Sequence, residues 1–167
     1  MSDLWATQRE EKRRAVQPLA VRMRPRNLGE FAGQTHFLSE GGLLTRMLAA
    51  DRLTSVLFYG PPGTGKTTLA EVIAHHTGRH FDRANAAQVG VKDIREILAA
   101  AAARIETSGR RTILFLDEIH RFARNQQDVL LHDVENGLIT LIGATTENPY
   151  FAVNSALVSR STIFQFK

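Results

Sequence analysis

Gly60-Pro61-Pro62-Gly63-Thr64-Gly65-Lys66-Thr67 is the stretch on which the fold turns. It fits the spacing G-x-x-x-x-G-K-[ST], a pattern that carries meaning only between a strand and a helix. Both neighbours are present: Ser55 to Tyr59 reads as a short buried strand, and Gly65 to Thr77 as a helix. Such a turn is a cradle for polyphosphate. Its glycines let the backbone pass close to the phosphates, while the N–H groups of the loop and of the helix start provide positive potential. Lys66 is placed to reach the β and γ phosphates, and Thr67 to offer its hydroxyl to Mg²⁺. Gly60, Pro61, Pro62, Gly63, Thr64, Gly65, Lys66, Thr67 and Thr68 are the candidates for binding a nucleotide's polyphosphate, with Mg²⁺ as the expected ion.

Outward from this loop, short β-branched or aromatic runs alternate with longer helical patterns, the rhythm of a parallel sheet covered by helices. After Ser55 to Tyr59, the expected strands are His80 to Ala84, Thr112 to Leu116, Leu138 to Ala144 and Thr162 to Phe166. The expected helices, besides Gly65 to Thr77, are Gly41 to Asp51, Lys92 to Glu106 and Asn125 to Asn136, the last stopped by Gly137. The class is α/β, with a five-stranded parallel sheet.

Two strand ends add chemistry. Ile113-Leu114-Phe115-Leu116-Asp117-Glu118 is an apolar run that finishes in two acids, at the end of a parallel strand where α/β sheets bind ligands. Asp117 is placed to hold the Mg²⁺ shell, partly through water, and Glu118 to orient and deprotonate an attacking water. Leu141-Ile142-Gly143-Ala144-Thr145-Thr146 is a second apolar run that ends in hydroxyls, and parallel packing brings Thr145 or Thr146 beside the γ-phosphate.

Composition narrows the remaining chemistry. The chain has 167 residues, 43% hydrophobic and 23% charged, enough for one sizeable core. It has no cysteine, which excludes disulfides, thiolate metal sites and cysteine nucleophiles. No apolar run has the roughly 18 to 20 residues of a membrane span, so no membrane association is expected and a cytoplasmic protein is. The net charge of +4 is local: seven of the 21 basic residues but three of the 17 acidic ones fall in residues 1 to 26. A basic arm on a neutral body attracts phosphate, although a charge run of this size also reads as a solvated terminus. His120 follows the two acids, but no second metal ligand lies at helical spacing from it.

Taken together, these residues resemble an AAA+ ATPase, and the resemblance implies a three-layer P-loop NTPase core with ATP as its nucleotide. Glu118 matches that family's catalytic glutamate and Thr146 its first sensor. Arg24-Pro25-Arg26-Asn27-Leu28-Gly29-Glu30-Phe31-Ala32-Gly33-Gln34 is similar to the element that precedes the loop in clamp-loader subunits and in the Holliday-junction motor RuvB, where it wraps the adenine. By that likeness Pro25, Phe31 and Ala32 contact the base, and Leu19 and Ala20 close its pocket. Gln17 to Pro25, Gly90 to Arg95, Asp117 to Phe122 and Gly143 to Pro149 resemble the RarA group, which includes an ATPase that binds the Werner helicase.

The resemblance implies further roles. Arg160, after Ser159, matches an arginine finger acting in trans on a neighbouring subunit. Asn85 sits where the family keeps a polar residue that restrains the catalytic glutamate; by position alone, a turn asparagine fits as well. Lys92 and Arg95 open a helix that faces DNA in related clamp loaders. Residues 1–17 are expected to form a basic arm and 18–167 the AAA+ core of a longer protein, with a helical lid and an oligomerisation domain outside this chain. The expected partners are DNA, single-stranded or forked, a single-strand DNA-binding protein, and further copies in the full-length protein. The fragment alone is expected to be monomeric, and the parent protein cytoplasmic and associated with the nucleoid. The expected function is ATP hydrolysis in replication-fork maintenance and recombination. The alternatives are a Holliday-junction branch-migration motor and a non-hydrolysing, nucleotide-gated module.

Overall fold

Alternate residues of the central strands are apolar on both sides, so the sheet must be covered twice. The computed structural model, which describes residues 42–53 and 55–167, meets that requirement with three layers. In chain order the elements are α1 (Leu43–Ala49), β1 (Ser55–Tyr59), α2 (Lys66–Thr77), β2 (His80–Asn85), α3 (Val91–Ser108) and β3 (Thr112–Asp117). A 3₁₀ turn (Ile119–Arg121), α4 (Arg124–Glu135), β4 (Ile139–Thr145), α5 (Pro149–Ala152), α6 (Ser155–Ser159) and β5 (Thr162–Gln165) follow.

All five strands are parallel and lie in the order β2-β3-β4-β1-β5. Val56 and Phe58, Ile113 and Phe115, and Ile142 and Ala144 point to one face, where Leu44, Leu69 and Ile73 of α1 and α2 cover them. Leu57, Leu114, Leu116 and Leu141 point to the other, against Ile94, Leu98, Leu130 and Leu157 of α3, α4 and α6. Phe58 anchors the first face, with its ring centroid 4.9 Å from that of Phe166 and 6.3 Å from that of Phe164.

The five expected strands and the four expected helices are all present, with boundaries shifted by one or two residues at most ends. Helix α1 is shorter than expected because the chain turns at Asp51, whose φ is 51°. That turn is held by the buried Arg79, which donates to Leu53 O at 3.2 Å, to Asp51 Oδ1 at 3.2 Å and to Thr140 Oγ1 at 2.5 Å. The short helices α5 and α6 were not expected. Each is capped by asparagine: Asn148 Oδ1 accepts Tyr150 N–H and Asn154 Oδ1 accepts Ala156 N–H. Among the described residues no helix is long and apolar enough to cross a membrane.

The strand order fixes where the site forms. After β1 the chain crosses to β2 at one edge, and after β4 it crosses back over β1 to β5, so the switch point lies between β1 and β4. The loop after β1 and the exits of β3 and β4 all stand at the carboxyl end of the sheet.

Candidate functional site

The loop after β1 closes over a lysine. Gly65, at φ 89°, takes a left-handed conformation that glycine adopts without a Cβ penalty, and α2 begins at the next residue. Lys66 therefore stands at the first position of that helix with its ammonium turned back into the loop. Nζ donates to Gly60 O at 2.8 Å and to Pro61 O at 2.7 Å, and lies 3.4 Å from Thr64 Oγ1. Burial pushes the Lys66 ammonium below its ordinary pKa, and the Asp117 carboxylate offsets part of that shift.

Pro62, Gly63, Thr64, Gly65, Lys66, Thr67 and Thr68 line a cavity of about 430 Å³, whose opposite wall is formed by Asp117, Glu118, Thr145 and Thr146. One cavity thus collects the loop and both strand ends singled out in the sequence. Asp117 Oδ1 accepts the Glu118 N–H at 3.0 Å, leaving Oδ2 for another partner. Thr67 and Thr146 keep their hydroxyls clear of partners among the described residues. A carboxylate and an alcohol facing one polyphosphate cradle make an all-oxygen donor set, which suits Mg²⁺.

Glu118 adopts φ 53° and ψ 43°, a left-handed conformation that costs a non-glycine residue roughly 1–2 kcal/mol. It turns the chain out of β3 into the 3₁₀ turn, with Arg121 N–H donating to Glu118 O at 2.8 Å. The turn is seated by Ile119, which is fully buried under β4 beside Gly143: a Cβ on that glycine would lie 2.9 Å from Ile119 Cδ1 and 2.8 Å from Leu57 Cδ2. His120 on the same turn shares a hydrogen bond of 2.9 Å with Thr145 Oγ1. Sequence reasoning weighs this histidine only as a metal ligand; its link to Thr145 escapes because the partner lies 25 residues downstream and only the parallel pairing of β3 with β4 brings them together.

Other candidates lie at or beyond the margin. Asn85 pairs with Asp117 in the β2–β3 register, but its Oδ1 accepts the Ala87 N–H at 2.9 Å, the bond of a turn asparagine. Lys92 and Arg95 are exposed at the start of α3, whose Asp93 accepts the Gly90 N–H at 3.0 Å. Arg160 stands at the opposite end of the sheet from the cavity, just before β5; it is ion-paired with Glu135 of α4 and donates to Ala156 O at 3.1 Å. Leu19, Ala20, Pro25, Phe31 and Ala32, like the basic arm, lie outside the described residues.

Residues 56–167 match the ATPase family associated with various cellular activities (AAA). The replication-associated recombination protein A of Escherichia coli is 53% identical over 151 residues, covering 90% of this chain and 34% of that protein. ATPase WRNIP1 of Dictyostelium discoideum is 44% identical over 93% of this chain and 18% of its own length. This chain thus spans about a third of the bacterial relative and less of the eukaryotic one. Among solved structures, the Thermotoga maritima RuvB Holliday junction branch migration motor superposes with a TM-score of 0.69 at 32% identity, over 87% of this chain and 49% of that one.

Proposed function

Because the chain belongs to the AAA family of ATPases, we propose that it is the nucleotide-binding core of an ATP-hydrolysing protein that acts on DNA in replication-fork maintenance and recombination. The observation that carries this reading is the single cavity walled by Lys66, Thr67, Asp117, Glu118 and Thr146. Lys66 exchanges its two loop carbonyls for the β and γ phosphates. Thr67 and Asp117 hold Mg²⁺, partly through water, and the ion neutralises charge on the phosphates when bound. Glu118 takes a proton from the attacking water as the bond from the γ-phosphorus to the bridging oxygen breaks, and Thr146 fixes that water or the γ-phosphate.

The relatives' names support the DNA part of the reading, and the identity of 53% over 90% of this chain sets its strength. Lys92, Arg95 and the basic arm contact phosphates rather than bases, so binding is expected to be salt-dependent and indifferent to sequence. Leu19, Ala20, Pro25, Phe31 and Ala32 enclose the adenine. Asn85 restrains Glu118 only after giving up its turn bond to Ala87. A single-strand DNA-binding protein recruits the parent assembly, a homo-oligomer in the cytoplasm at the nucleoid. The likeness to RuvB bears on the fold.

The test is turnover of Mg·ATP by the full-length protein with and without single-stranded, duplex and forked DNA. Glu118→Gln should bind Mg·ATP normally and trap it unhydrolysed, since the base is lost and the metal ligands stay. Turnover of that variant at the wild-type rate places the base elsewhere, and a turnover indifferent to every DNA form removes the DNA part of the proposal.

A further inference from the structure

We infer that His120 is a positioning residue for hydrolysis, which acts by tying the exit of β4 to the exit of β3 through the hydroxyl of Thr145. The inference rests on the proposed reading of Glu118 as the base and Thr146 as the residue that fixes the attacking water. These two side chains belong to different strands, each leaves its strand at the last residue or just beyond it, and neither has a partner among the described residues that fixes its side chain. Something else must set the distance between them if both are to hold one water.

Thr145 is the last residue of β4 and only 1% exposed, yet it forms part of the cavity wall. Its Oγ1 accepts the Glu147 N–H at 3.0 Å, which bends the chain back around Thr146. The hydroxyl proton remains to be donated, and His120 Nδ1 lies 2.9 Å away to take it in the tautomer protonated at Nε2. On the other side, His120 is two residues from Glu118 in a 3₁₀ turn closed by Arg121 N–H to Glu118 O and by Phe122 N–H to Ile119 O. That turn cannot drift, because Ile119 below it is fully buried against Leu57 and Gly143. The imidazole is therefore a strut with one end on the turn that carries Glu118 and the other on the turn that carries Thr146. The Thr145 hydroxyl is committed to His120 and to the Glu147 N–H, so the link bears on the geometry of the water rather than on nucleotide affinity.

The test compares His120→Ala, Thr145→Val and the double variant in the full-length protein, with Glu118→Gln as the control. A fluorescent ATP analogue measures affinity, and steady-state turnover gives kcat and KM. Misplacement of a catalytic group by about an ångström costs roughly a hundredfold, so kcat is expected to fall about ten- to a hundredfold in each single variant with the Kd of the analogue unchanged. The double variant should lose no more than the worse single, because both remove one link. His120→Asn, whose amide can occupy the Nδ1 position, should regain part of kcat, whereas His120→Gln should not; this pair keeps the test informative if His120→Ala unfolds. An unchanged kcat, a loss confined to Kd, or multiplicative losses in the double variant overturn the inference. Retained turnover in Glu118→Gln instead overturns the reading of the base and leaves the two failures distinct.

Discussion

Lys66 carries a conflict that its neighbours only partly resolve. It is 9% exposed, its ammonium bonds two carbonyls, and burial holds its pKa below the ordinary value near 10.5. An unfolded chain keeps the ordinary value and so binds more protons than the folded one across the alkaline interval between the two values. Stability contributed by this residue therefore rises with pH through that interval, and below it the penalty of burying the charge is present in full. A Lys66→Met variant lacks the titration, so the melting temperature of the wild type relative to this variant should climb as the pH rises toward the ordinary lysine value near 10.5 and level off above it. A difference flat across that range means that Lys66 is not desolvated as its surroundings require. Polyphosphate should reverse the shift: Lys66→Ala is expected to weaken ATP binding by about 2–3 kcal/mol in calorimetry, the scale of a charge-assisted contact.

At the scale of elements, the site depends on how closely β4 lies over the turn after β3. Gly143 makes that approach possible, since an added Cβ would meet Leu57 Cδ2 at 2.8 Å and Ile119 Cδ1 at 2.9 Å, both on fully buried side chains. Gly143→Ala should cost about 1–3 kcal/mol, as overpacking does, and lower turnover further by displacing the turn that bears Glu118. Chemical denaturation and turnover at a temperature where the variant is fully folded separate the two effects; full activity there detaches the turn from catalysis. The sequence made the strands legible because Ile113 to Leu116 and Leu141 to Ala144 are apolar on both faces, and the loop legible because its glycine spacing and Lys66 leave few other uses. Asn148-Pro149 is itself a start signal for α5, although four residues are too few to show any periodicity. His120 was opaque for a different reason. Its role depends on strand pairing, which brings Thr145 to it across 25 residues. Gln127 is as hard to read for a related reason: helix packing brings it Asn154, 27 residues on, and its amide donates to Phe122 O and accepts the Asn154 N–H to fasten α4 to the start of α6.

At the scale of the molecule, the distance from Arg160 to the cavity decides how it can act. Arg160 precedes β5, whose Thr162 pairs with Val56 near the start of β1, whereas the phosphate loop follows Tyr59 at that strand's far end. At about 3.3 Å per residue, a five-residue strand separates them by roughly 16 Å, beyond the reach of an arginine side chain. A phosphate contact from Arg160 must therefore be made to a second copy. Its ion pair with Glu135 does not prevent this: both side chains are about half exposed, and pairs of that kind contribute little. The prediction is a complementation. In the full-length protein, Arg160→Ala should keep nucleotide binding and, where Arg160 serves a neighbouring copy, lose about 10³ to 10⁵ in turnover, as removal of an arginine finger does. Glu118→Gln should be equally inactive, but co-assembly of the two variants should recover part of the activity, because an interface that pairs an intact Glu118 with an intact Arg160 forms only in the mixture. The 167-residue chain alone should run as a monomer in light scattering and turn over far more slowly than the full-length protein at matched concentration. Mixed assemblies as inactive as their parents, or a monomeric chain as fast as the full-length protein, show that Arg160 does not serve a neighbour.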